Sequence, residues 1–415
     1  MKKNKIIEKF SVVIITLIVY ICYFNAVKAI YPGYIKLLII AVGLLCIYFF
    51  LNKKKTLKIP IYYLILPIMI AISEIYTISS FSTSRYLIIY TLLLSIAILI
   101  TQIENWKKIF IKVILVFSII TMMVTILSFF SNSWYISKIL PLIDQGSRVI
   151  MRNLVIYADS YPGLFASTGV NAFFISVGLA IVFINLINDK RNRKINMVLF
   201  ILFILALFLT LKRAALLINL FIILVMSIFR NKRILKNIII TIMLLIFLIT
   251  MMITIFPDIY FNLINRFVTN SAEELLNGRG DLYKFAIEKI YENPLKGLGF
   301  GAFSKAYSES TNYKGVLLDT HNEFLQLCSE LGIIQGAIVI FAVLKVYYDC
   351  LILFIKNTKE ENSEQKKFVS VALYVQSYFI IYCIIGNPFH DTTIFFIAML
   401  CGVMCEELKM EQSEQ

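Results

Sequence analysis

The sequence predicts an all-α integral membrane protein with about twelve transmembrane helices and one large, partly helical extracytoplasmic loop. Of its 415 residues, 60% are hydrophobic and the mean hydropathy is +0.83, whereas a soluble domain is only about 45–50% apolar. The apolar residues also form long runs, such as 234–256, and a helix needs roughly 20 of them to cross a bilayer. These two observations exclude a soluble core.

Runs of apolar residues set the predicted spans. They fall near positions 10–29, 34–51, 60–78, 86–101, 109–130, 164–187, 196–211, 214–229, 234–256, 332–355, 368–386 and 392–407. The seventh and eighth runs are predicted as two helices, because one long helix would place Lys212 and Arg213 at membrane depth, which is energetically costly.

Basic residues define the predicted topology and the partner class. The net charge of +15 comes from short clusters between apolar runs, which is the pattern of topology signals, so a nucleic-acid partner is rejected in favour of the lipid bilayer. The clusters recur in alternate loops, near 53–58, 107–108, 190–194, 230–236 and 356–367. An even number of spans then places both termini in the cytoplasm.

Three regions follow from this plan. Residues 1–256 hold the first nine spans, 257–331 form the large extracytoplasmic loop with the candidate motifs, and 332–415 hold the last three spans and a cytoplasmic C-terminus. Within the loop, 281–291 is predicted to be an amphipathic helix, because its apolar residues recur with helical periodicity. They are Leu282, Phe285, Ala286 and Ile290.

Cysteine, glycine and histidine patterns indicate neither a metal nor a cofactor. The seven cysteines form no CxxC pair, and most lie in or beside apolar runs, so no disulfide framework is predicted. The glycine-rich segment 297–301 follows a predicted helix and Pro294, which excludes a dinucleotide site and favours a tight, apolar re-entry turn. His321, His390 and Asp391 lack a metal-ligand spacing.

Cations concentrate on the predicted outer side. Lys212 and Arg213 occupy a very short outer turn, where two positive charges run against the orientation bias and favour a functional role over snorkelling. Arg279 is flanked by Gly278 and Gly280, which allow close approach of a ligand, although that segment alone favours an ordinary surface arginine. Because arginine donates two hydrogen bonds to phosphate and stays charged, these residues suit an anionic substrate.

His321 is the candidate base. Thr320 and Glu323 have the spacing of a capping box, which predicts that His321 lies in the first turn of a helix. The positive end of the helix dipole there favours a neutral imidazole that can accept a proton. On such a helix Glu330 lies opposite His321, so the two are not paired as a catalytic dyad. A lone histidine is more often structural than catalytic.

Four local motifs match one family. The two closest are Gly278-Arg279 followed by Asn293-Pro294, Gly297, Gly299 and Phe303, and Thr320-His321-Asn322-Glu323-Phe324-Leu325 followed by Glu330 and Gly332. The two looser ones are Gly163-Leu164-Phe165-Ala166 with Asn171, and Leu209-Thr210-Leu211-Lys212-Arg213, in which Lys212 stands where serine is common. With the hydropathy plan, these motifs resemble the O-antigen ligase and Wzy-type polysaccharide polymerase superfamily.

The resemblance implies an inverting, metal-independent glycosyltransferase without a cofactor, acting on the outer face of the bacterial inner membrane. Its donor would be a glycan linked to undecaprenyl diphosphate, and its acceptor another glycan. Arg213 and Arg279 would hold the diphosphate and stabilise it as it leaves, while His321 would act as general base. Further substrate contacts are expected at Lys212, Arg152 and Asn322.

The same motifs leave the reaction open between two enzymes. A polysaccharide polymerase would join lipid-linked repeats, and a chain-length regulator is then a plausible partner by resemblance; a ligase would move finished polymer to a lipid or other acceptor. The polymerase is favoured. A membrane transporter is the alternative of another class, since about twelve spans also suit transport, and a structural scaffold in an envelope complex is a third reading.

Overall fold

The computed structural model describes residues 2–27, 33–52, 61–189, 191–230, 279–310, 317–357 and 363–413. In these ranges the regular structure is entirely helical. The predicted ninth span, 234–256, and the start of the predicted large loop lie outside them.

The chain divides into two compact units. The first comprises Met1–Asn25, Pro32–Ile114 and Gly278–Gln415, and the second comprises Ala26–Tyr31 and Leu115–Asn277. The long helix α5 (Trp106–Phe130) begins in the first unit and ends in the second.

The other helices of the first unit come from both ends of the chain. They are α1 (Lys2–Tyr23), α2 (Tyr34–Asn52), α3 (Ile61–Ser73), α4 (Ser80–Ile100), α11 (Gly280–Glu292), α12 (Phe303–Ser310), α13 (Glu323–Leu331), α14 (Ile333–Asn357), α15 (Ser363–Tyr382) and α16 (Thr392–Ser413). Helix α14 packs against α3, α15 and α16, while the short α13 packs against α11 and α14.

The second unit holds the remaining helices of the described ranges. They are α6 (Asn132–Trp134), continued by a π turn (Tyr135–Ile139) and a 3-10 turn (Leu140–Leu142), then α7 (Gln145–Tyr157), α8 (Thr168–Asn188), α9 (Arg193–Leu209) and α10 (Arg213–Arg230). Helix α8 is the most enclosed, because almost all of its residues from Thr168 to Ile184 are buried. It packs against α9 and α10.

The helices agree with the predicted apolar runs wherever the structure describes them. Five helices in the described ranges are long and apolar enough to cross a membrane: Tyr34–Leu51, Ser80–Ile100, Trp106–Phe130, Thr168–Asn188 and Ile333–Asn357. Ile61–Ser73 and Arg213–Phe229 are apolar but shorter. The chain is therefore a multi-pass membrane protein, while the count of twelve spans and the sidedness remain predictions.

Two finer predictions are confirmed. Helices α9 and α10 are separate, with the break at Thr210–Lys212, as the cost of burying two cations predicts. Helix α11 buries Leu282, Phe285 and Ala286 in a small core with α12.

Candidate active site

Arg279 lies at the start of α11 and reaches the connection between α15 and α16. It immediately precedes Gly280, the first helical residue, and is half-buried. Its Nη1 donates a hydrogen bond of 3.3 Å to the carbonyl oxygen of Ile385. A guanidinium carries five N–H donors, and this bond to Ile385 uses one of them.

His321 does not lie in the first turn of a helix, so that prediction is wrong. Helix α13 begins at Glu323, and its N-cap is Asn322, whose Oδ1 accepts from the amide of Leu325 at 3.1 Å. Asparagine is among the strongest N-cap residues, and here it caps the helix in place of Thr320. His321 therefore precedes the helix, and the face argument that set it against Glu330 does not apply.

His321 adopts a left-handed backbone conformation with φ of 55°, which non-glycine residues seldom adopt. Its amide donates to Oδ1 of Asn387 at 2.7 Å. The Nδ2 of Asn387 donates in turn to Oε1 of Gln326 at 2.7 Å and to Oγ1 of Thr320 at 3.2 Å. This bonding fixes the backbone on both sides of His321 and holds a strained residue in place.

Gln326 extends this network through the interior. Its Nε2 donates to Oδ1 of Asp319 at 3.1 Å and to Oε1 of Glu330 at 3.2 Å, while its Oε1 accepts from the amide of Thr320 at 3.0 Å. The segment before α13 is thus tied to the side chains of α13 itself.

The glycine segment 297–301 forms the predicted tight turn. Gly297, Gly299 and Gly301 have φ of 71°, 95° and 77°, where side chains are disfavoured. A Cβ on Gly299 would lie 2.1 Å from Oγ1 of Thr77, so glycine is required there on two grounds. The amide of Gly299 donates to the carbonyl oxygen of Glu330 at 2.7 Å, which packs the turn against the end of α13.

A buried cluster of titratable side chains, none of them among the predicted site residues, underlies these elements. Nδ1 of His390 lies 2.9 Å from Oε1 of Glu323, and Nε2 lies 2.8 Å from Oε2 of Glu330. The imidazole side chain is 4% exposed and both carboxylates are 0% exposed. Phe300 stacks on the ring with a centroid distance of 4.7 Å.

Backbone amides also donate to the carboxylates of the cluster. Glu330 accepts from the amides of Gly301 at 2.8 Å and Phe303 at 3.1 Å, and Glu323 accepts from the amide of Phe389 at 2.8 Å. A signal for the cluster was present in the sequence. Residues seven apart share a helix face, so Glu323 and Glu330 could have been paired with each other rather than compared with His321.

The charge state of the cluster follows from its burial. Burial alone would lower the pKa of His390, but Glu330 and Glu323 raise it well above its ordinary value. Burial also raises the pKa of Glu323, against the lowering effect of His390. Both shifts favour proton uptake on folding, and the acidic partner within 2.9 Å of each ring nitrogen favours the imidazolium form of His390.

Lys212 and Arg213 lie at the break between α9 and α10 in the second unit. Leu211 adopts φ of 51° at this break, and the amide of Lys212 donates to Oγ1 of Thr210 at 3.4 Å. Lys212 is exposed, and Arg213, the first residue of α10, is half-buried.

The segment that precedes the Gly163 motif is hydrogen-bonded to the same turn. Oγ of Ser160 donates to the carbonyl oxygen of Thr210 at 2.9 Å, and the amide of Tyr161 donates to the carbonyl oxygen of Leu209 at 3.1 Å. Nδ2 of Asn171 donates to the carbonyl oxygen of Tyr161 at 3.0 Å. The two looser motifs therefore form one local structure.

The predicted site residues are divided between the units. Arg279, His321 and Asn322 belong to the first unit, where the 383–391 connection contacts the first two of them directly. Lys212, Arg213 and Arg152, which is exposed on α7, belong to the second. Among the residues that the structure describes, no group of three His, Cys, Asp or Glu side chains is arranged to hold a metal ion.

Fold and site together define a multi-pass membrane protein with cations and a histidine at its candidate site. Residues 198–341 match a family described as O-antigen ligase, and this range contains Arg213, Arg279 and His321. No curated protein matches the chain. The match confirms the resemblance to the O-antigen ligase and Wzy-type superfamily and supports glycan transfer on lipid-linked substrates, whereas His390 lies beyond the matched range.

Proposed function

We propose that this protein is a polysaccharide polymerase that transfers undecaprenyl-diphosphate-linked repeats onto another glycan on the outer face of the bacterial inner membrane. The observation that carries the proposal is the anchoring of Arg279 and His321 on one connection, at Ile385 and Asn387. A proposed diphosphate-binding cation and a proposed proton acceptor, both within the matched range, are thus anchored to one connection that follows that range.

The proposed reaction is a single displacement. The acceptor hydroxyl oxygen attacks the anomeric carbon of the donor, and the bond between that carbon and the diphosphate oxygen breaks. The diphosphate leaves with the bonding electron pair, while a ring nitrogen of His321 accepts the hydroxyl proton. Configuration at the anomeric carbon inverts, because attack and departure take place on opposite faces. General-base assistance of this kind contributes about 10²–10⁴-fold in rate.

Cations complete the proposed assignment. Arg279 and Arg213 hold the diphosphate and stabilise the charge that builds on it as it leaves. Lys212 and Arg152 contact further phosphate or sugar groups. Asn322 caps α13 with its side-chain Oδ1, and we assign its side-chain Nδ2 to contact sugar hydroxyls.

The test compares envelope glycans by length in a deletion strain that carries wild type, His321→Ala or Arg279→Ala, with lipid-linked intermediates measured alongside. The matched control is Glu309→Gln, at an exposed position of α12, which should behave as wild type. Loss of the polymer ladder with accumulation of single lipid-linked repeats is expected for both site variants. A normal ladder in His321→Ala, with the protein present in the membrane, would overturn the base assignment.

Ligase activity is the second candidate, because the matched family carries that description. It predicts a different intermediate: long lipid-linked polymer accumulates in the deletion strain and never reaches its final acceptor. A transporter would instead move substrate without releasing lipid diphosphate, so release of lipid diphosphate by purified protein in vesicles separates transfer from transport. If the polymerase is correct, a chain-length regulator is its expected partner.

A further inference from the structure

We propose that the Glu323–His390–Glu330 cluster is a positioning unit that holds Arg279 and His321 in one fixed arrangement. The inference rests on the proposed function for its kinetic consequence, but its structural consequence can be measured without any substrate. It assigns a role to His390, the second histidine of the chain.

Burial determines the kind of role. The imidazole is 4% exposed and its two carboxylate partners are fully buried. Both ring nitrogens are already hydrogen-bonded. His390 is therefore inaccessible to an acceptor hydroxyl, and any effect on transfer must act through other residues.

The 383–391 connection carries that effect to the site. Its carbonyl at Ile385 binds Arg279, and its side chain at Asn387 binds the amide of His321. The connection is joined to the first turn of α13 by the amide of Glu323, which donates to the carbonyl oxygen of Cys383 at 2.8 Å. His390 adds the ionic link to both ends of α13, so the connection and the helix move together.

The glycine turn is the third element fixed by the cluster. Glu330 uses one oxygen for His390 and the amide of Gly301, and the other for the amide of Phe303. One imidazole thus joins three separate segments at a single point.

The protonation state of the His390 ring determines how many hydrogen bonds it can donate to the two carboxylates. A neutral imidazole can donate only one of its two hydrogen bonds, whereas an imidazolium donates both, as two carboxylate partners require. Other charged or titratable groups surround the cluster at longer range: Tyr86 and Tyr90 of α4, Arg85 and Asp319, which interact electrostatically with Tyr86, and Asp391, which interacts with Tyr90. Of these, Tyr86 contacts the ring directly, with a centroid distance of 5.7 Å.

The structural test uses the fact that the chain has only two histidines. Full-length protein labelled with ¹⁵N in its histidines gives two imidazole spin systems, which His321→Gln assigns. We expect the His390 ring to stay protonated at neutral pH in the wild type. In Glu323→Gln, which keeps an acceptor for Phe389 but loses one charge, its titration midpoint should fall and the His321 signals should shift.

The kinetic test uses the same variants in a reconstituted transfer assay. Glu323→Gln and Glu330→Gln should lower kcat by about 10-fold or more, because small displacements of catalytic groups cost up to about 10²-fold. KM for the lipid-linked donor should rise as well, because the cluster also positions Arg279, which holds the donor diphosphate in the proposed function. Glu309→Gln, an exposed residue of α12, is the matched control and should match wild type in both measurements.

The outcomes separate this inference from the proposed function. If His321 signals are unchanged in Glu323→Gln, or if kcat stays within about twofold of wild type, the positioning role is wrong even though His321→Ala abolishes transfer. If wild type transfers no glycan, the proposed function fails, and the coupling of His321 signals to residue 323 still decides the positioning role. A variant with His390→Gln is not needed, so misfolding from two unpaired carboxylates does not confuse the result.

Discussion

The two compact units hold their candidate site residues by different chemistry. Around Arg279 and His321 the support is a buried group of titratable side chains, with the His390 ring between Glu323 and Glu330. Around Lys212 and Arg213 the described supports are neutral hydrogen bonds, such as that from Oγ of Ser160 to the carbonyl oxygen of Thr210. At the contacts named here, charged groups support the first pair of residues, and hydroxyl, amide and backbone groups support the second.

The difference determines how each region responds to damage. Removing one partner of a buried ion pair leaves an uncompensated charge, which costs about 3–5 kcal/mol. Removing one partner of a neutral buried hydrogen bond costs about 1–3 kcal/mol. We therefore expect the first region to lose its geometry abruptly and with pH, and the second to lose it gradually and without regard to pH.

The largest effect is expected for His390→Leu. The change leaves the carboxylates of Glu323 and Glu330 buried without their cation, and should lower the free energy of unfolding by about 3–5 kcal/mol. The measurement is denaturant or thermal unfolding of purified full-length protein in detergent, with Glu309→Gln as control. A loss below about 1 kcal/mol would show that the Glu323–His390–Glu330 cluster does not stabilise the first region as proposed.

A smaller effect is expected for Asn171→Ala in the second unit. This fully buried side chain donates to Oγ1 of Thr125 and to the carbonyl oxygen of Tyr161, both at 3.0 Å. Its loss leaves a buried carbonyl unsatisfied and should cost about 1–3 kcal/mol in the same unfolding assay. If it costs as much as His390→Leu, the two regions do not differ in the way proposed.

The pH dependence sharpens the contrast. The raised pKa values of His390 and Glu323 mean that the folded state binds more protons than the unfolded state. Stability should therefore fall as pH rises above the ordinary histidine value of about 6.5, by up to about 1.4 kcal/mol per pH unit for one proton. Unfolding scans from pH 6 upward in one buffer series should show this slope in wild type and in Asn171→Ala, whose change lies outside the cluster. A stability that does not change with pH above pH 6 would contradict the expected proton uptake.

The smallest effect is expected for Ser160→Ala. It removes one neutral hydrogen bond to Thr210 and should cost about 0.5–1.5 kcal/mol. Transfer activity should then change more than stability, because Thr210 precedes Lys212 and Arg213 in the turn. Equal activity in wild type and Ser160→Ala would show that the neutral support does not position these cations.

The sequence predicted the structural features that are set by residues close together in the chain. Hydropathy located the helices, the cost of buried charge separated α9 from α10, and periodicity gave the buried face of α11. The candidate roles of Arg279 and His321 remain proposals, although the family match covers both residues.

Two features of the site differ from the prediction, for two physical reasons: two residues compete to cap α13, and the partners of the buried cluster are far apart in sequence. Thr320 and Asn322 both offer an N-cap signal, and the stronger cap displaces His321 from the helix. The ionic cluster escaped because His390 follows Glu330 by 60 residues, and no local pattern connects positions so far apart. The sequence alone could have placed Glu323 and Glu330 on one helix face, because they are seven residues apart, but it could not have identified His390 as their partner.

That separation has a consequence for biosynthesis. The ribosome completes α13 before it makes α14 and α15, so both carboxylates exist before the imidazole that pairs with them. Until residue 390 emerges and α15 is inserted, Glu323 and Glu330 must remain protonated or hydrated. A nascent chain arrested after α14 should therefore be a better substrate for membrane quality-control proteases than one arrested after α16. Synthesis of α15, α16 and the connection between them would complete the buried cluster.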